Sequence, residues 1–172
     1  MSTLNIRVLN KEDWPTYRAL RLLSLQDSPD SFGSTYGSEI KFSNEKWLSR
    51  LDLDNQAKYT LPLIAELNGV AVGLAFGVLH SPFDKTAHLY QMWVSPSVRG
   101  RGVGRLLLNK IIVWAKDCDL DYLCLAVTTV NIGAVHLYET TGFEPYGSLE
   151  KLRKDPALVV QSMRLKLCAN LA

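Results

Sequence analysis

The chain has 172 residues, of which 47% are hydrophobic and 21% charged, with a formal net charge of +2. These values are typical of one globular domain over residues 1–172; they exclude a disordered chain and, with three cysteines, a disulfide scaffold. The small charge gives no reason to expect nucleic acid or an anionic membrane as a partner. Because neither a spanning segment nor a secretory signal is recognisable, a cytoplasmic location is expected.

The first half of the chain predicts a strand, a helix, a short helix and three further strands. Their ranges, in chain order, are 6–9, 13–26, 43–51, 61–67, 70–80 and 86–94. Asn68-Gly69 separates two of the strands and is typical of a two-residue hairpin turn. Because tight turns join the last three strands, these strands are expected to pair antiparallel.

The second half alternates helices with strands. A loop at 98–102 leads into a helix, and a strand, a second helix and a last strand follow. Their ranges are 103–116, 122–127, 131–141 and 159–167. Since a helix connects the strands at 86–94 and 122–127, these two are expected to run parallel, which makes the sheet mixed.

A glycine-rich loop, residues 99–105, follows a strand and opens the helix predicted at 103–116; its sequence is Arg-Gly-Arg-Gly-Val-Gly-Arg. The first N–H groups of a helix have no partner within it and lie at the positive end of its dipole. Glycine lets a phosphate approach these groups, and the arginines add cationic donors. The loop therefore predicts a pyrophosphate site, with a simple connecting turn as the alternative.

Two other phosphate motifs fit this loop less well. The dinucleotide fingerprint G-x-G-x-x-G requires a third glycine where this chain has Arg105, although Gly100 and Gly102 match its beginning. A loop ending in Gly-Lys-Ser/Thr, which would bind a nucleoside triphosphate, does not occur in the sequence. The hairpin predicted at Asn68-Gly69 also disfavours a Rossmann domain, which remains the weakest of the alternatives.

Two motifs together resemble the GCN5-related N-acetyltransferases, the GNAT superfamily. The signature Arg/Gln-x-x-Gly-x-Gly/Ala of that family is matched by Arg99, Gly102 and Gly104. The second motif consists of Asn131 before a helix and the residues Ala134, Tyr138 and Gly142-Phe143. The order of the predicted elements agrees over essentially the whole chain. The resemblance implies an α/β fold of the α+β type, with a mixed, mostly antiparallel twisted sheet flanked by helices. It also implies that this acyl-CoA N-acyltransferase sheet is splayed between the strands at 86–94 and 122–127.

The resemblance further implies that the protein uses acetyl-CoA as co-substrate and needs no metal. The backbone of Met92 and Val94 would bind the pantetheine arm and the acetyl carbonyl. The pyrophosphate would lie against the loop residues Arg99, Gly100, Arg101, Gly102, Val103, Gly104 and Arg105. Asn131 matches a position that contacts the cofactor arm, and as an asparagine directly before a helix it is equally suited to capping that helix.

Two side chains are candidates for proton transfer. By resemblance, Tyr138 protonates the departing CoA thiolate; its alternative role is packing against Phe143. His88 lies on the strand that often carries the general base, and an imidazole with a pKa near 6.5 can accept a proton at neutral pH. The alternative for His88 is a packed or surface histidine. Strand alternation puts the side chains of His88 and Met92 on one face, together with Tyr90 and Val94, unless a bulge interrupts the strand.

The favoured function is transfer of an acetyl group to a primary amine by direct attack in a ternary complex. A non-catalytic acyl-CoA-binding or sensor module on the same fold is the alternative. Residues 28–51 and 145–158 are expected to shape the acceptor side, where acidic and aromatic side chains would suit an amine. A small-molecule amine is favoured over a peptide or protein, and the identity of the acceptor and a homodimeric state are left open.

Overall fold

The computed structural model describes residues 2–55, 59–154 and 157–168. Its strands are β1 (Leu4–Val8), β2 (Tyr59–Leu67), β3 (Val70–Leu79), β4 (Thr86–Val94), β5 (Tyr122–Thr128), β6 (Glu144–Lys151) and β7 (Val159–Lys166). They form one sheet in the order β1-β2-β3-β4-β5-β7-β6. Among the described residues, only β4 and β5 pair parallel, and the other neighbouring strands are antiparallel. The prediction of a mixed, mostly antiparallel sheet is confirmed.

Helices lie on both faces of this sheet. They are α1 (Trp14–Asp27), α2 (Tyr36–Glu39), α3 (Asn44–Ser49), α4 (Val103–Asp117) and α5 (Ile132–Thr141). On the face of α1 to α3, Tyr17 packs against Trp47 and Phe76. On the opposite face, α4 approaches β3 so closely that a Cβ on Gly77 would lie 2.7 Å from the ring of Trp114. Only glycine at this position allows the helix to pack so closely against the sheet.

The hairpin between β2 and β3 has the predicted turn. Asn68 and Gly69 both have positive φ angles, 52° and 80°. Such angles are those of a type I′ turn, whose twist matches that of the two flanking strands. The three antiparallel strands predicted between 61 and 94 are therefore confirmed together with their connection.

Two elements differ from the sequence-based expectation. No strand is predicted within 145–158, the segment expected to shape the acceptor side, but Glu144–Lys151 form β6, which pairs with β7 at the edge of the sheet. Most side chains of β6 are exposed and show no apolar alternation, so its sequence lacks the usual strand pattern. A four-residue helix, α2, also occurs in the Gly/Ser-rich segment before α3, where Thr35 caps it.

The predicted splay of the sheet is confirmed at β4 and β5. Within the described ranges, their parallel pairing is confined to Thr86–His88 on β4 and Tyr122–Cys124 on β5. Beyond these pairs the two strands separate, and the remainder of each lines a common cavity. None of the helices in the described part of the chain has the length and apolar composition that a bilayer span requires.

Candidate active site

One open cavity of about 1710 Å³ passes between the separated ends of β4 and β5. It extends from the layer of α1 to α3 on one face to the amino-terminal turns of α4 and α5 on the other. Ten of the twelve residues predicted for the site line it, namely Met92, Val94, Arg99, Gly100, Gly102, Val103, Gly104, Arg105, Asn131 and Tyr138. His88 and Arg101 do not line it. The motifs that are distant in sequence thus converge on one space.

The glycine loop has the backbone that a bound anion requires. Gly100 and Gly102 have φ angles of +76° and +80°, and a Cβ on either would meet no atom within 4 Å. Gly102 is the N-cap of α4 and has no side chain to pair with the first N–H groups of the helix. These groups therefore lie without a side-chain cap at the positive end of the α4 dipole, where an anion would be stabilised.

Two of the three loop arginines are engaged by the protein itself. Arg99 donates from Nε to the Val94 carbonyl oxygen over 2.9 Å and from Nη2 to the carboxylate of Asp27. Arg105 donates from Nη2 to the Thr140 hydroxyl over 3.0 Å, which joins α4 to α5. Burial opposes the charge of Asp27, but hydrogen bonds from Ser28, Trp93 and Arg99 hold its pKa below the ordinary value. The loop is therefore anchored at both sides by arginine side chains.

A β-bulge in β4 redirects the side chains of this strand. Leu74 of β3 pairs with Trp93, and Phe76 pairs with Tyr90, so that Ala75 lies opposite both Gln91 and Met92. Gln91 has a φ angle of +54°, which is unusual for a residue other than glycine. Such a bulge reverses the alternation of the residues on either side of it.

The expectation that His88, Tyr90, Met92 and Val94 share one face is therefore wrong. Tyr90 lies opposite Phe76, which belongs to the core beneath α1. Met92 and Val94 instead approach the α carbon of Gly104 on the α4 face. The bulge thus separates the strand into a part facing the α1 layer and a part facing the glycine loop.

His88 lies in a cluster of rings on the α1 face. Its ring centroid is 5.3 Å from that of His80 and 6.0 Å from that of Tyr90, and His80 Nε2 lies 3.0 Å from the Tyr90 hydroxyl. The Nδ1 atom of His88 is buried and has no hydrogen-bond partner among the described residues. Burial and the charge of His80 lower the pKa of His88, and Asp84 opposes them only in part. Tyr90 lines the cavity, whereas His88 lies behind it.

Tyr138 lies on α5 and is 5% exposed. Its ring packs against Phe143 at 5.7 Å between centroids, so the predicted packing contact exists. Burial raises the pKa of its phenol, which therefore keeps its proton at neutral pH. Tyr138 thus lines the cavity with its proton retained, and its assignment as the proton donor stays a prediction.

Asn131 caps α5, as its position in the sequence predicted. Its Oδ1 accepts from the backbone N–H of Ala134 over 3.2 Å. Its Nδ2 donates to the hydroxyl of Ser31 over 3.2 Å, across the cavity from α5. Both ends of the amide are engaged, and the predicted contact with the cofactor arm stays a prediction.

The acceptor side of the cavity is not the acidic pocket suggested by its sequence. Glu39 is 1% exposed and accepts from Arg21 Nη2 over 3.0 Å and from Arg50 Nη1 over 2.9 Å. Although burial opposes its ionisation, these two guanidinium groups hold the pKa of Glu39 below the ordinary value. Lys46 lines the same wall. The cations therefore outnumber the carboxylate in this part of the cavity.

Comparison with known proteins agrees with this geometry. Residues 17–143 match the sequence model of the family described as Acetyltransferase (GNAT) family. The chain belongs to the GNAT family. No group of three or more potential metal ligands occurs in the part of this GNAT chain that the structure describes.

Individual relatives extend over different parts of the chain. An uncharacterised N-acetyltransferase of Methanocaldococcus jannaschii is 28% identical over 150 residues, which are 84% of this chain and 62% of that protein. The L-amino acid N-acyltransferase MnaT of Escherichia coli is 36% identical over 84 residues, 47% of this chain and 48% of the relative. The chain thus spans about half to three fifths of the length of these two relatives.

A solved structure shows the same fold. The acetyltransferase yncA of Salmonella typhimurium, crystallised with its cofactor acetyl-CoA, superimposes with a TM-score of 0.79. The superposition covers 99% of this chain and 97% of the Salmonella chain, at 20% sequence identity.

Sequence reasoning missed several cavity residues of this GNAT chain. The Thr128 hydroxyl, at the end of β5, is buried in the cavity wall without a partner among the described residues. A threonine at the end of an apolar strand carries no signal of its own, because threonine is common in strands. The pairing of Arg21 and Arg50 with Glu39 was missed because the three lie far apart in the sequence.

Proposed function

We propose that the protein transfers the acetyl group of acetyl-CoA to a primary amine of a small molecule. The observation that carries this proposal is the continuous cavity between β4 and β5. It joins an open anion cradle at the start of α4 to a separate, side-chain-lined wall formed by α1 to α3. Two ligands that enter from opposite faces would meet in such a cavity, as direct transfer in a ternary complex requires.

The chain has the groups that would hold acetyl-CoA. The first N–H groups of α4, which no side chain caps, would bind the pyrophosphate, and a Cβ-free Gly102 beside them leaves space for its approach. The backbone N–H of Ser95 donates to the Val72 carbonyl of β3. Because hydrogen-bonded and non-hydrogen-bonded pairs alternate in an antiparallel ladder, the next pair, Val94 and Gly73, is not hydrogen-bonded. The N–H and C=O groups of Val94 therefore point away from β3, toward β5. Because Arg99 occupies that carbonyl, the N–H of Val94 is the group proposed to bind the acceptor-side end of the cofactor arm. The buried hydroxyl of Thr128 supplies a further unused polar atom in the same wall.

Acetyl-CoA supplies the acetyl group as a thioester, and the acceptor amine attacks its carbonyl carbon. We assign the protonation of the departing thiolate to Tyr138. Its phenol is protonated at neutral pH, and because burial raises its pKa, it would give up the proton only as the thiolate forms beside it in the same buried environment, where the thiolate is also a stronger base than in water. A protein that only bound acyl-CoA would have no use for a proton donor at this position, which favours catalysis over a sensor function.

We assign acceptance of the proton from the amine to His88, acting through water. The lowered pKa keeps its imidazole neutral, and thus able to accept a proton, at neutral pH. Water is required because Tyr90, and not His88, lines the cavity. The hydrogen bond between Tyr90 and His80 offers a second route for the proton on the same face.

The experiment that tests this function combines binding with turnover. We expect acetyl-CoA to bind in a calorimetric titration and NAD to give no signal. We also expect a panel of small amines to include acceptors that release free CoA, measured by thiol detection. Binding of acetyl-CoA without turnover of any amine would support the sensor alternative, and binding of NAD alone would contradict both functions.

A further inference from the structure

We infer that the acceptor is an amino acid whose free carboxylate binds to Arg21 and Arg50 on the α1 to α3 wall of the cavity. This inference rests on the proposed function and adds the class of its second substrate. The residues involved lie outside the acetyl-CoA motifs and outside the proton-transfer groups.

The first argument is the balance of charge on this wall. Two guanidinium groups, those of Arg21 and Arg50, share the single carboxylate of Glu39. Of the other cavity-lining acids, Asp27 accepts from Arg99, Asp30 lies 4.0 Å from Arg153, and Glu150 lies on β6. Among the described residues, Arg21 has no carboxylate partner other than Glu39, which it shares with Arg50, and a second carboxylate would complete the cluster.

The second argument is an unused donor at the same place. Arg21 is 4% exposed, and its Nη1 atom has no hydrogen-bond partner among the described residues. The guanidinium lies over the ring of Phe32, 4.7 Å from the centroid, and both residues line the cavity. A guanidinium has a planar fork of donors that matches a carboxylate, so an unpaired, buried nitrogen of this kind is suited to an anionic group of a ligand.

The third argument is the position of the cluster relative to the reaction site. Arg50 donates to the Tyr17 hydroxyl over 3.2 Å, and Tyr17 donates to Gln91 Oε1 over 2.9 Å. Gln91 is the residue of the β-bulge and lies three residues before Val94, whose N–H is proposed to bind the acceptor-side end of the cofactor arm. The Tyr17 hydroxyl thus links the guanidinium of Arg50 to the side chain of the bulge residue. An acceptor whose amine and carboxylate are a few bonds apart fits this arrangement.

The same charges act against other amine classes. A polyamine would bring additional positive charge toward Arg21, Lys46 and Arg50, where like charges repel. An amine with no second polar group would leave the unpaired guanidinium nitrogen buried beside it. The wall therefore selects for an amine that is accompanied by a negative charge.

Wild-type protein provides the first test. Three matched series are compared by thiol release: leucine, leucinamide and 3-methylbutylamine; phenylalanine, phenylalaninamide and phenethylamine; alanine, alaninamide and ethylamine. Spermidine is included as a cationic acceptor. In at least one series we expect kcat/KM of the carboxylate-bearing member to exceed that of its amide and of its decarboxylated amine by about tenfold or more. Equal or better use of the amides, the simple amines or spermidine overturns the inference and leaves the proposed function intact.

The second test is the variant Arg21→Met. It removes the cation that shares Glu39 and leaves this carboxylate paired with Arg50. We expect KM for the amino acid to rise by about tenfold or more, with KM for its amide nearly unchanged. The matched control is Arg7→Met, which removes an arginine that is ion-paired to Asp13 and Glu66 away from the cavity. An unchanged KM for the amino acid in a folded Arg21→Met variant overturns the inference.

A binding measurement distinguishes failure of the proposed acetyl transfer from failure of the proposed carboxylate site. If none of the acceptors releases CoA, the proposed function fails, and the same series is titrated into the CoA-loaded protein by calorimetry. Tighter binding of an amino acid than of its amide, lost in Arg21→Met, then supports the carboxylate site by itself. Equal binding of amino acid and amide overturns it.

Discussion

Arg99 of the glycine loop is ion-paired with Asp27 at the carboxyl-terminal end of α1. The same carboxylate oxygen accepts from the indole N–H of Trp93 on β4 over 2.9 Å. The glycine loop and β4 therefore meet α1, which is distant from both in the sequence, at one oxygen atom. Because Arg99 also donates to the carbonyl of Val94, it fixes the loop to the strand and to α1 at once. Arg99, the first residue of the acetyl-CoA signature, thus anchors the loop, and its charge is paired with that of Asp27.

The variant Asp27→Asn distinguishes this anchoring from direct phosphate binding by Arg99. Asparagine keeps an oxygen for Trp93 but loses the charge that holds Arg99. If anchoring is the role of Arg99, the dissociation constant of acetyl-CoA rises by a few fold, since a partly exposed ion pair contributes up to about 1 kcal/mol. Calorimetric titration measures this change. Tighter binding in Asp27→Asn would instead mean that Asp27 competes with the phosphate for the guanidinium.

Gly102→Ala tests the anion cradle. A Cβ at this position enters the open space before α4, and the φ angle of +80° becomes strained by about 1–2 kcal/mol. We expect the dissociation constant of acetyl-CoA to rise by about tenfold or more, because the phosphate loses close approach to the N–H groups. Gly147→Ala is the matched control, since Gly147 also has a positive φ of +69° and open space around it, but lies on β6. Both variants should lose similar stability, and equal loss of affinity in both would refute a specific role of Gly102.

Much of the fold follows from local sequence patterns. Asn68-Gly69 specifies its hairpin through the backbone angles of the two residues alone, and the apolar periodicity of 103–116 identifies α4. In contrast, β6 pairs as an edge strand through backbone hydrogen bonds, with side chains that are mostly exposed. Such a strand depends on the presence of β7 beside it and leaves little trace in its own sequence.

The site was predictable where backbone chemistry defines it and not where side chains from distant segments meet. The glycine loop, Asn131 and Tyr138 belong to recognisable motifs, and they converge on the cavity. The bulge at Gln91 is a single residue with a positive φ inside an otherwise regular strand, and strand alternation cannot reveal its position. For the same reason, strand alternation wrongly places His88 on the same face as Met92 and Val94.

Tyr138→Phe tests the proton donor. The substitution removes one oxygen atom and keeps the ring against Phe143, so folding and acetyl-CoA binding should be retained. We expect kcat to fall by about 10²–10⁴-fold, the usual contribution of general acid catalysis. Tyr146→Phe, on β6 outside the lining of the cavity, serves as the control and should keep the wild-type kcat. If the folded Tyr138→Phe variant turns over at the wild-type rate, Tyr138 is a packing residue only.

The pH dependence of kcat/KM tests His88. Because burial and His80 lower the pKa of His88, the imidazole loses its proton below its ordinary value of 6.5. As the pH rises, kcat/KM should therefore increase through an ionisation below pH 6.5. Above that ionisation, His88 should cause no further change in kcat/KM. In His88→Ala that ionisation should disappear, while the ionisation of the acceptor amine remains. His80→Ala is the control: if it, and not His88→Ala, removes the ionisation, the proton leaves through Tyr90 and His80 instead.

The buried carboxylate of Glu39 gives the protein an acid-sensitive contribution to its stability. Burial disfavours the charge, but Arg21 and Arg50 lower the pKa of Glu39 below its ordinary value of 4.5. A carboxylate with a lowered pKa stabilises the fold fully above its unfolded-state value, and this stabilisation is lost as the pH falls through the folded-state pKa. The free energy of unfolding should therefore decrease as the pH is lowered below about 4.5.

In Glu39→Gln both guanidinium groups lose their buried counter-ion. We expect a loss of about 3–5 kcal/mol in the free energy of unfolding at neutral pH, measured with urea. The acid-induced loss of stability should become shallower than in wild type, because the group that titrates there is absent. Glu12→Gln, at an exposed position in the turn before α1, should leave both quantities nearly unchanged. Similar stability of Glu39→Gln and Glu12→Gln would mean that water already compensates the charges of Arg21 and Arg50.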